Sequence, residues 1–288
     1  MLCNLCPREC NANREKYFGE GFCECGILPK VARIAPHMYE EPCISGKFGS
    51  GAIFFSGCTL KCVYCQNYDI SHKNYGKYID ENILAEEYKN LENMGVHNIE
   101  FVTATQYIDT IIKSLEIYKP AVPLIYNCSG YEKAETLRRL NGLIDIYLPD
   151  FKYSDDELAL KLSNCKNYTE TTISAIKEMI NQTGKYVIKN GIIKSGIIIR
   201  HLVLPNHTKN SIGVLKIIKE NFSNDVLTSL MAQYTPCQNC ESIPELNRKI
   251  TKREYDKVLH KLFELELDGF AQELSSASKD YIPKWDYK

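Results

Sequence analysis

The sequence predicts an α/β fold: a partial (β/α)6 barrel of parallel strands, preceded by a Cys-rich, metal-binding N-terminal extension. Six near-continuous apolar runs alternate with segments of helical periodicity, the pattern of a parallel sheet covered on both faces. Right-handed crossovers curl such a sheet into roughly three-quarters of an eight-unit barrel. Polar residues gather directly after the runs, at the end where these sheets carry their chemistry.

Each element follows from its own residues. Ala52-Ile53-Phe54-Phe55 is the first strand. Asp80 is placed to cap a helix running to Met94, with Leu84, Tyr88 and Leu91 on one stripe and Gly95 as its stop. Residues 98–103 form the second strand. A helix over 107–118 turns Ile108, Ile111, Ile112 and Leu115 inward before Pro120 closes it. Residues 122–127 and 143–148 are the third and fourth strands, with a helix over 132–140 between them. Helices over 155–162 and 169–182 lead to a long fifth strand, 197–204. A helix over 209–220 precedes the sixth strand, 227–233, and a last helix over 251–265 packs Tyr255, Val258, Leu259 and Leu262 inward. The organisation expected is an extension over 1–50, the barrel over 51–240, and a helix and tail over 241–288 packed on it.

The chain has 288 residues, 44% of them hydrophobic and 25% charged, enough to bury a sizeable core. Its formal net charge of −1 supplies no basic excess for nucleic acid or an anionic membrane. The N-terminus lacks the apolar segment of a signal peptide and no apolar run reaches membrane-spanning length, so a cytoplasmic location is expected. In that reducing compartment the thirteen cysteines are metal ligands or catalytic groups rather than disulfides.

Residues 1–50 carry Cys3-x2-Cys6-x3-Cys10, then Cys23, Cys25 and Cys43. The segment is Gly-punctuated and weakly periodic, so it needs a metal staple or the surface of the main domain. Cys3, Cys6, Cys10 and Cys23 are the candidate ligands, with Cys25 as a substitute for the last; zinc and an iron–sulfur cluster fit the count equally. The neutral charge and the absence of a basic helix argue against a nucleic-acid zinc module. His37, Glu40, Glu41 and Cys43 are candidates for further ligands or site contacts, but base rates favour reading them as loop and packing residues.

The first strand delivers Cys58-x3-Cys62-x2-Cys65 onto its C-terminal loop. No further Cys or His stands nearby, so one metal position is left open, the mark of a reactive rather than a sealed site. Zinc lacks a His-x-Glu general-base partner here, and an electron-carrying cluster takes all four ligands from Cys. A [4Fe–4S] cluster with one uncapped iron fits best.

This loop, with Tyr64 before its third cysteine, resembles the signature of the radical S-adenosylmethionine (SAM) superfamily. The wider pattern resembles the branch related to the pyruvate formate-lyase activating enzyme. Its likenesses include Cys6-Pro7-Arg8-Glu9-Cys10, Glu40-Glu41-Pro42-Cys43, Cys65-Gln66-Asn67, Tyr126-Asn127 with Ser129-Gly130, Asp150 with Lys152, and Ile199-Arg200-His201. The resemblance implies that Cys58, Cys62 and Cys65 hold three irons and that SAM chelates the fourth. It implies reductive cleavage of SAM to a 5′-deoxyadenosyl radical that abstracts hydrogen. It places Tyr64 near the adenine and makes Asn67 part of the SAM site. Thr103-Ala104-Thr105 stands where the family has Gly-Gly-Glu, without the acidic residue. Asn127 and Ser129 would meet the ribose or carboxylate, Asp150 and Lys152 would touch SAM, and Arg200 or His201 would touch adenine or substrate. Strand alternation turns only one of those last two inward. The expected partners are a flavodoxin or ferredoxin reductant and a protein or small-molecule substrate, a glycyl-radical enzyme if the branch resemblance carries. The competing reading is a non-catalytic iron–sulfur or zinc carrier. Cys237-x2-Cys240 is read as sharing a second cluster, as a redox pair or as idle, Cys128 as a rim residue and Cys165 as a buried bystander.

Overall fold

The computed structural model describes residues 2–237, 240, 243–277 and 285. Near the N-terminus β1 (Leu2–Cys3) and β2 (Ala12–Asn13) pair antiparallel. β3 (Lys30–His37) and the one-turn helix α1 (Pro42–Ser45) precede β4 (Ser50–Phe55). There follow α2 (Tyr68–Ser71), β5 (Lys77–Tyr78), α3 (Glu81–Asn93), β6 (Ile99–Val102), α4 (Ile108–Ile117), β7 (Leu124–Cys128), α5 (Ala134–Arg138) and β8 (Ile146–Pro149). The chain continues through α6 (Asp156–Ser163), α7 (Tyr168–Thr183), β9 (Val187–Lys189), β10 (Ile192–Leu202), α8 (Thr208–Phe222), β11 (Leu227–Met231), α9 (Lys252–Glu264) and β12 (Gly269–Ala271).

The main sheet runs β5-β3-β4-β6-β7-β8-β10-β11-β12, with β9 on β10. From β4 to β12 every neighbouring pair is parallel. All six expected strands are present, and β12 adds a seventh parallel one. β3 joins antiparallel to β4, so residues 30–37 of the Cys-rich extension belong to the sheet. Pro36 is tolerated there because β3 meets β5 only at Lys30 and Val31, and among the described residues no strand bonds the far side of Pro36.

Helix ends are set as their residues dictate. The Asp80 carboxylate accepts from the backbone N–H groups of Asn82 and Ile83, and Thr251 forms a reciprocal capping box with Glu254. α5 is shorter than the helix expected over 132–140, because Glu132 is buried in contact with Thr105 instead.

Strand alternation divides the core. Tyr126, Tyr147, Ile197 and Ile199 belong to the large cluster that includes the helices. Their neighbours Ile125, Ile146, Leu148 and Ile198 turn the other way and pack with Cys43 and Ile44 of α1. Asn98, just ahead of β6, donates to the Ile44 carbonyl at 2.9 Å, so α1 plugs the barrel at the N-terminal ends of its strands. Further along, the same inner face carries Asn127, Asp150 and Arg200. His37 of β3 and Phe270 of β12 come from distant places in the sheet yet line one cavity, so the sheet curls into an open barrel.

Candidate active site

The cavity, about 790 Å³, opens at the C-terminal ends of the strands. The chain enters its wall from β4 through Ser56 and Gly57. Gly57 has φ +84°, and a Cβ there would lie 2.1 Å from Cys25 Sγ, so glycine is required on both counts. Gln106 ties this turn to β6, its side-chain amide donating to the carbonyls of Ser56 and Gly57 at 3.1 Å and of Thr103 at 2.9 Å.

Cys58, Cys62 and Cys65 all line the cavity, and none is in a disulfide. Each sulfur accepts a hydrogen bond: Cys58 from Leu60 N–H at 3.3 Å, Cys62 from Ser163 O–H at 2.9 Å, and Cys65 from Ser71 O–H at 3.3 Å. Burial pushes the Cys65 thiol up to about 12 and raises Cys58 as well, so a metal centre binding here must displace their protons. Among the described residues no three His, Cys, Asp or Glu side chains converge on a single-ion site. A cubane cluster takes each thiolate on a different iron and does not require that convergence.

Across the cavity, Lys152 Nζ donates to Asp150 Oδ2 at 2.5 Å. Burial alone lowers the Lys152 pKa, but the Asp150 carboxylate and nearby Cys62 outweigh it and raise it above the ordinary value, so the ammonium stays charged. The backbone of this pair is fixed from several sides. Asp150 N–H donates to the Cys128 carbonyl at 2.9 Å, Phe151 N–H to the Arg200 carbonyl at 2.7 Å, and Lys152 N–H to the Tyr168 hydroxyl at 2.9 Å. Gly130, at φ +76°, lets the neighbouring loop approach, since a Cβ would meet the Asp150 carbonyl oxygen at 2.0 Å.

Of the other expected contacts, Tyr64, Asn67, Thr103, Asn127, Ser129 and Arg200 line the cavity. Ser129 Oγ and Asn67 Oδ1 are buried without a hydrogen-bond partner among the described residues, so the wall presents polar atoms that a polar ligand can satisfy. Thr103 adopts φ +59°, an outlier for a β-branched residue, at the end of β6. Tyr153 donates its hydroxyl proton to the Tyr64 hydroxyl at 2.9 Å and thereby orients that ring.

Two expected contacts stand elsewhere. Thr105 is buried behind the wall, donating to Glu132 Oε1 at 2.9 Å. His201 alternates to the outer face, where its Nδ1 meets the Phe151 carbonyl at 2.7 Å and burial lowers its pKa to about 4. Conversely His37, Glu40 and Glu41, read as loop and packing residues, line the cavity. Arg200 Nε donates to Glu41 Oε1 at 2.9 Å, and its NH2 reaches Glu40 as well. Cys43 is a packing residue at the barrel base, and Cys128 is a rim residue on the cavity wall. Cys237 and Cys240 stand 3.2 Å apart beside the Val63 carbonyl of the cysteine loop and do not line the N-terminal cysteine pocket.

Glu100 lies fully buried beneath the cavity, accepting from Asn127 at 2.7 Å and Ser50 at 3.0 Å. Burial, with Glu40 adding to it, raises its pKa to about 8. A carboxyl raised this way stabilises the fold fully below the unfolded value of about 4.3, and that contribution is lost as pH rises through the folded value. Glu100→Gln cannot ionise and is expected to remove this loss, on the order of 1.4 kcal/mol per pH unit across the window. Urea unfolding at pH 5, 6.5 and 8 measures it; an unchanged slope would refute the assignment.

Residues 52–216 match the radical SAM superfamily. The chain belongs to that superfamily. It is 31% identical over 275 residues to an uncharacterised protein of Methanocaldococcus jannaschii, covering 92% of this chain and 75% of the other. The radical SAM fold is shared with a Sphaerobacter thermophilus radical SAM methyltransferase at TM-score 0.54 and 11% identity, over 79% of this chain and 68% of that one. Methylornithine synthase aligns at TM-score 0.52 and 15% identity, over 77% and 70%. Membership in the radical SAM superfamily implies a [4Fe–4S] cluster and SAM. The residues present fit both: three hydrogen-bonded thiols, a charged lysine, and unsatisfied polar atoms face one cavity.

Proposed function

We propose that this radical SAM protein generates a 5′-deoxyadenosyl radical and uses it to abstract hydrogen from a protein or small-molecule substrate. The observation that carries the reading is the shared cavity, with three hydrogen-bonded cysteine sulfurs facing the Asp150–Lys152 pair. When bound, the cluster and SAM supply one-electron reductive cleavage to methionine and the radical. The chain's own part is positioning and shielding. Cys58, Cys62 and Cys65 would hold the cluster. Lys152, kept charged by Asp150, offers a cation to the SAM carboxylate, and Ser129 and Asn67 offer hydrogen bonds to its polar edge. Tyr64, buried and oriented by Tyr153, supplies an aromatic wall for the adenine. Asn127, Arg200, Glu40 and Glu41, backed by the buried Glu100, line the inner face and are available to the substrate.

Glycyl-radical-enzyme activation is the substrate class we favour within this reading, on the resemblance of the motifs to that branch. A flavodoxin or ferredoxin would supply the electron in a cytoplasmic, anaerobic setting. Among the described residues no helix is long and apolar enough to cross a membrane. The test is anaerobic reconstitution, reduction and incubation with SAM. Formation of 5′-deoxyadenosine is expected; its absence from cluster-loaded, reduced protein would overturn the proposal in favour of a carrier. Glycyl-radical signals in a co-incubated candidate enzyme test the activase reading separately.

A further inference from the structure

The N-terminal segment presents a folding problem. Among the hydrophobic side chains of residues 2–28, only Cys25 is buried, while Leu2, Tyr17, Phe18 and Ile27 are 69, 52, 54 and 48% exposed. Its regular structure is one two-residue strand pair and two isolated bridges. A segment of this kind has no apolar core to hold it and needs a covalent or metal staple. None of its cysteines is in a disulfide.

Cys3, Cys6, Cys10, Cys23 and Cys25 nevertheless line one pocket, brought together from both halves of the segment. Cys25 is occupied otherwise: its thiol donates toward the carbonyls of Cys23 at 3.2 Å and Ser56 at 3.8 Å. Four thiols remain, with the x2 and x3 spacings of a thiolate metal site. The gap they enclose is about 20 Å³, against about 790 Å³ for the reaction cavity. A space of that size holds one ion as it stands, whereas a cubane cluster would have to open it. We propose that Cys3, Cys6, Cys10 and Cys23 bind a single zinc ion that staples the extension to the cysteine loop of the active site. The four sulfurs do not yet converge, so metal binding completes the site by drawing them together, as structural zinc does when it couples to folding.

The position of Arg8, between Cys6 and Cys10, gives the staple a purpose. Arg8 donates to the carbonyls of Thr59, Ser163 at 2.9 Å and Asn164 at 2.7 Å. Thr59 adjoins Cys58, and the Ser163 hydroxyl is the donor to Cys62. A zinc ion holding Cys6 and Cys10 fixes Arg8, and Arg8 fixes the loop.

The test is to count zinc and iron separately in full-length protein purified anaerobically, alone and with Cys58→Ala, Cys62→Ala and Cys65→Ala combined. About one zinc per chain is expected in both, the stoichiometry of a site with four thiolate ligands, with iron lost only from the combined variant. Cys6→Ser with Cys23→Ser should lose the zinc, whereas Cys25→Ser and Cys237→Ser with Cys240→Ser should keep it. Cobalt(II) added to chelator-treated wild-type protein should give intense thiolate-to-metal absorption, a readout that needs no variant to fold. About four irons in the combined variant would overturn the zinc assignment. So would zinc that survives Cys6→Ser with Cys23→Ser, or a wild-type chain that takes up neither zinc nor cobalt.

Discussion

Cys62→Ala is expected to leave the loop without its iron and to bring 5′-deoxyadenosine formation down to background. Three thiolates are the minimum that leaves one iron open while holding the other three, and alanine offers no ligand atom. Cys62 is also the thiol with the shortest of the three hydrogen bonds to sulfur, 2.9 Å from Ser163. Ser163→Ala keeps all the ligands and removes that donor, together with the hydroxyl's 2.5 Å contact to the Tyr153 hydroxyl. It is expected to lower cluster retention or activity by about 10- to 100-fold and to make the cluster harder to reduce. Cys165→Ala serves as the control, since that buried thiol points at the Ala159 carbonyl and does not line the cavity; it should keep both iron and activity. Iron content, electron paramagnetic resonance of the reduced cluster and product formation check the series. Full activity in Cys62→Ala would remove the cluster assignment.

The sequence exposed the parts of the fold whose signals are local. Apolar runs such as Ile197-Ile198-Ile199 could be little other than buried strands, and Asp80 and Thr251 cap the helices they precede. β12 escaped notice because Gly269-Phe270-Ala271 is too short to show a period. β3 escaped because Lys30, Arg33, Pro36 and His37 interrupt its apolar character. Its place is set by pairing with β4, a tertiary contact that no local pattern encodes.

The site divides in the same way. The cysteine loop was legible from spacing alone, and alternation along 197–204 already required Arg200 and His201 to part. Which of them turned inward depended on register: Arg200 shares a face with Ile198, and His201 with Ile199. Thr105 was misplaced because the chain turns away after Thr103, whose left-handed backbone ends the strand. Glu40 and Glu41 looked like loop charges. A signal was available: an arginine turned into a barrel must find a counter-ion, and Glu40-Glu41 is the acidic pair beside the α1 plug.

Arg200→Leu is expected to destabilise the fold by about 3–5 kcal/mol, because it leaves buried carboxylates without their partner. The Arg200 and Glu41 side chains are only 9% and 7% exposed, so water cannot take the partner's place. Burial by itself would raise the Glu41 pKa, but the Arg200 charge and hydrogen bonds outweigh it and hold the carboxyl below its usual range. A carboxyl depressed in this way adds stability above its unfolded value of about 4.3, and the contribution is lost as pH falls through the folded value. In Arg200→Leu burial is left against only the hydrogen bonds from Ser229 and the local backbone, so Glu41 should take up a proton in the folded state at higher pH than in the unfolded chain. The variant's deficit is therefore largest near pH 8 and shrinks steadily toward pH 4. Adding Glu41→Gln to Arg200→Leu should recover part of the deficit at pH 8 and little at pH 4, since an amide carries no charge to bury. Urea unfolding of the two variants and the wild type across that range measures all three curves. A deficit independent of pH would mean that Arg200 contributes packing rather than charge, and the inner-face ion pair would lose its place as the anchor of the cavity floor.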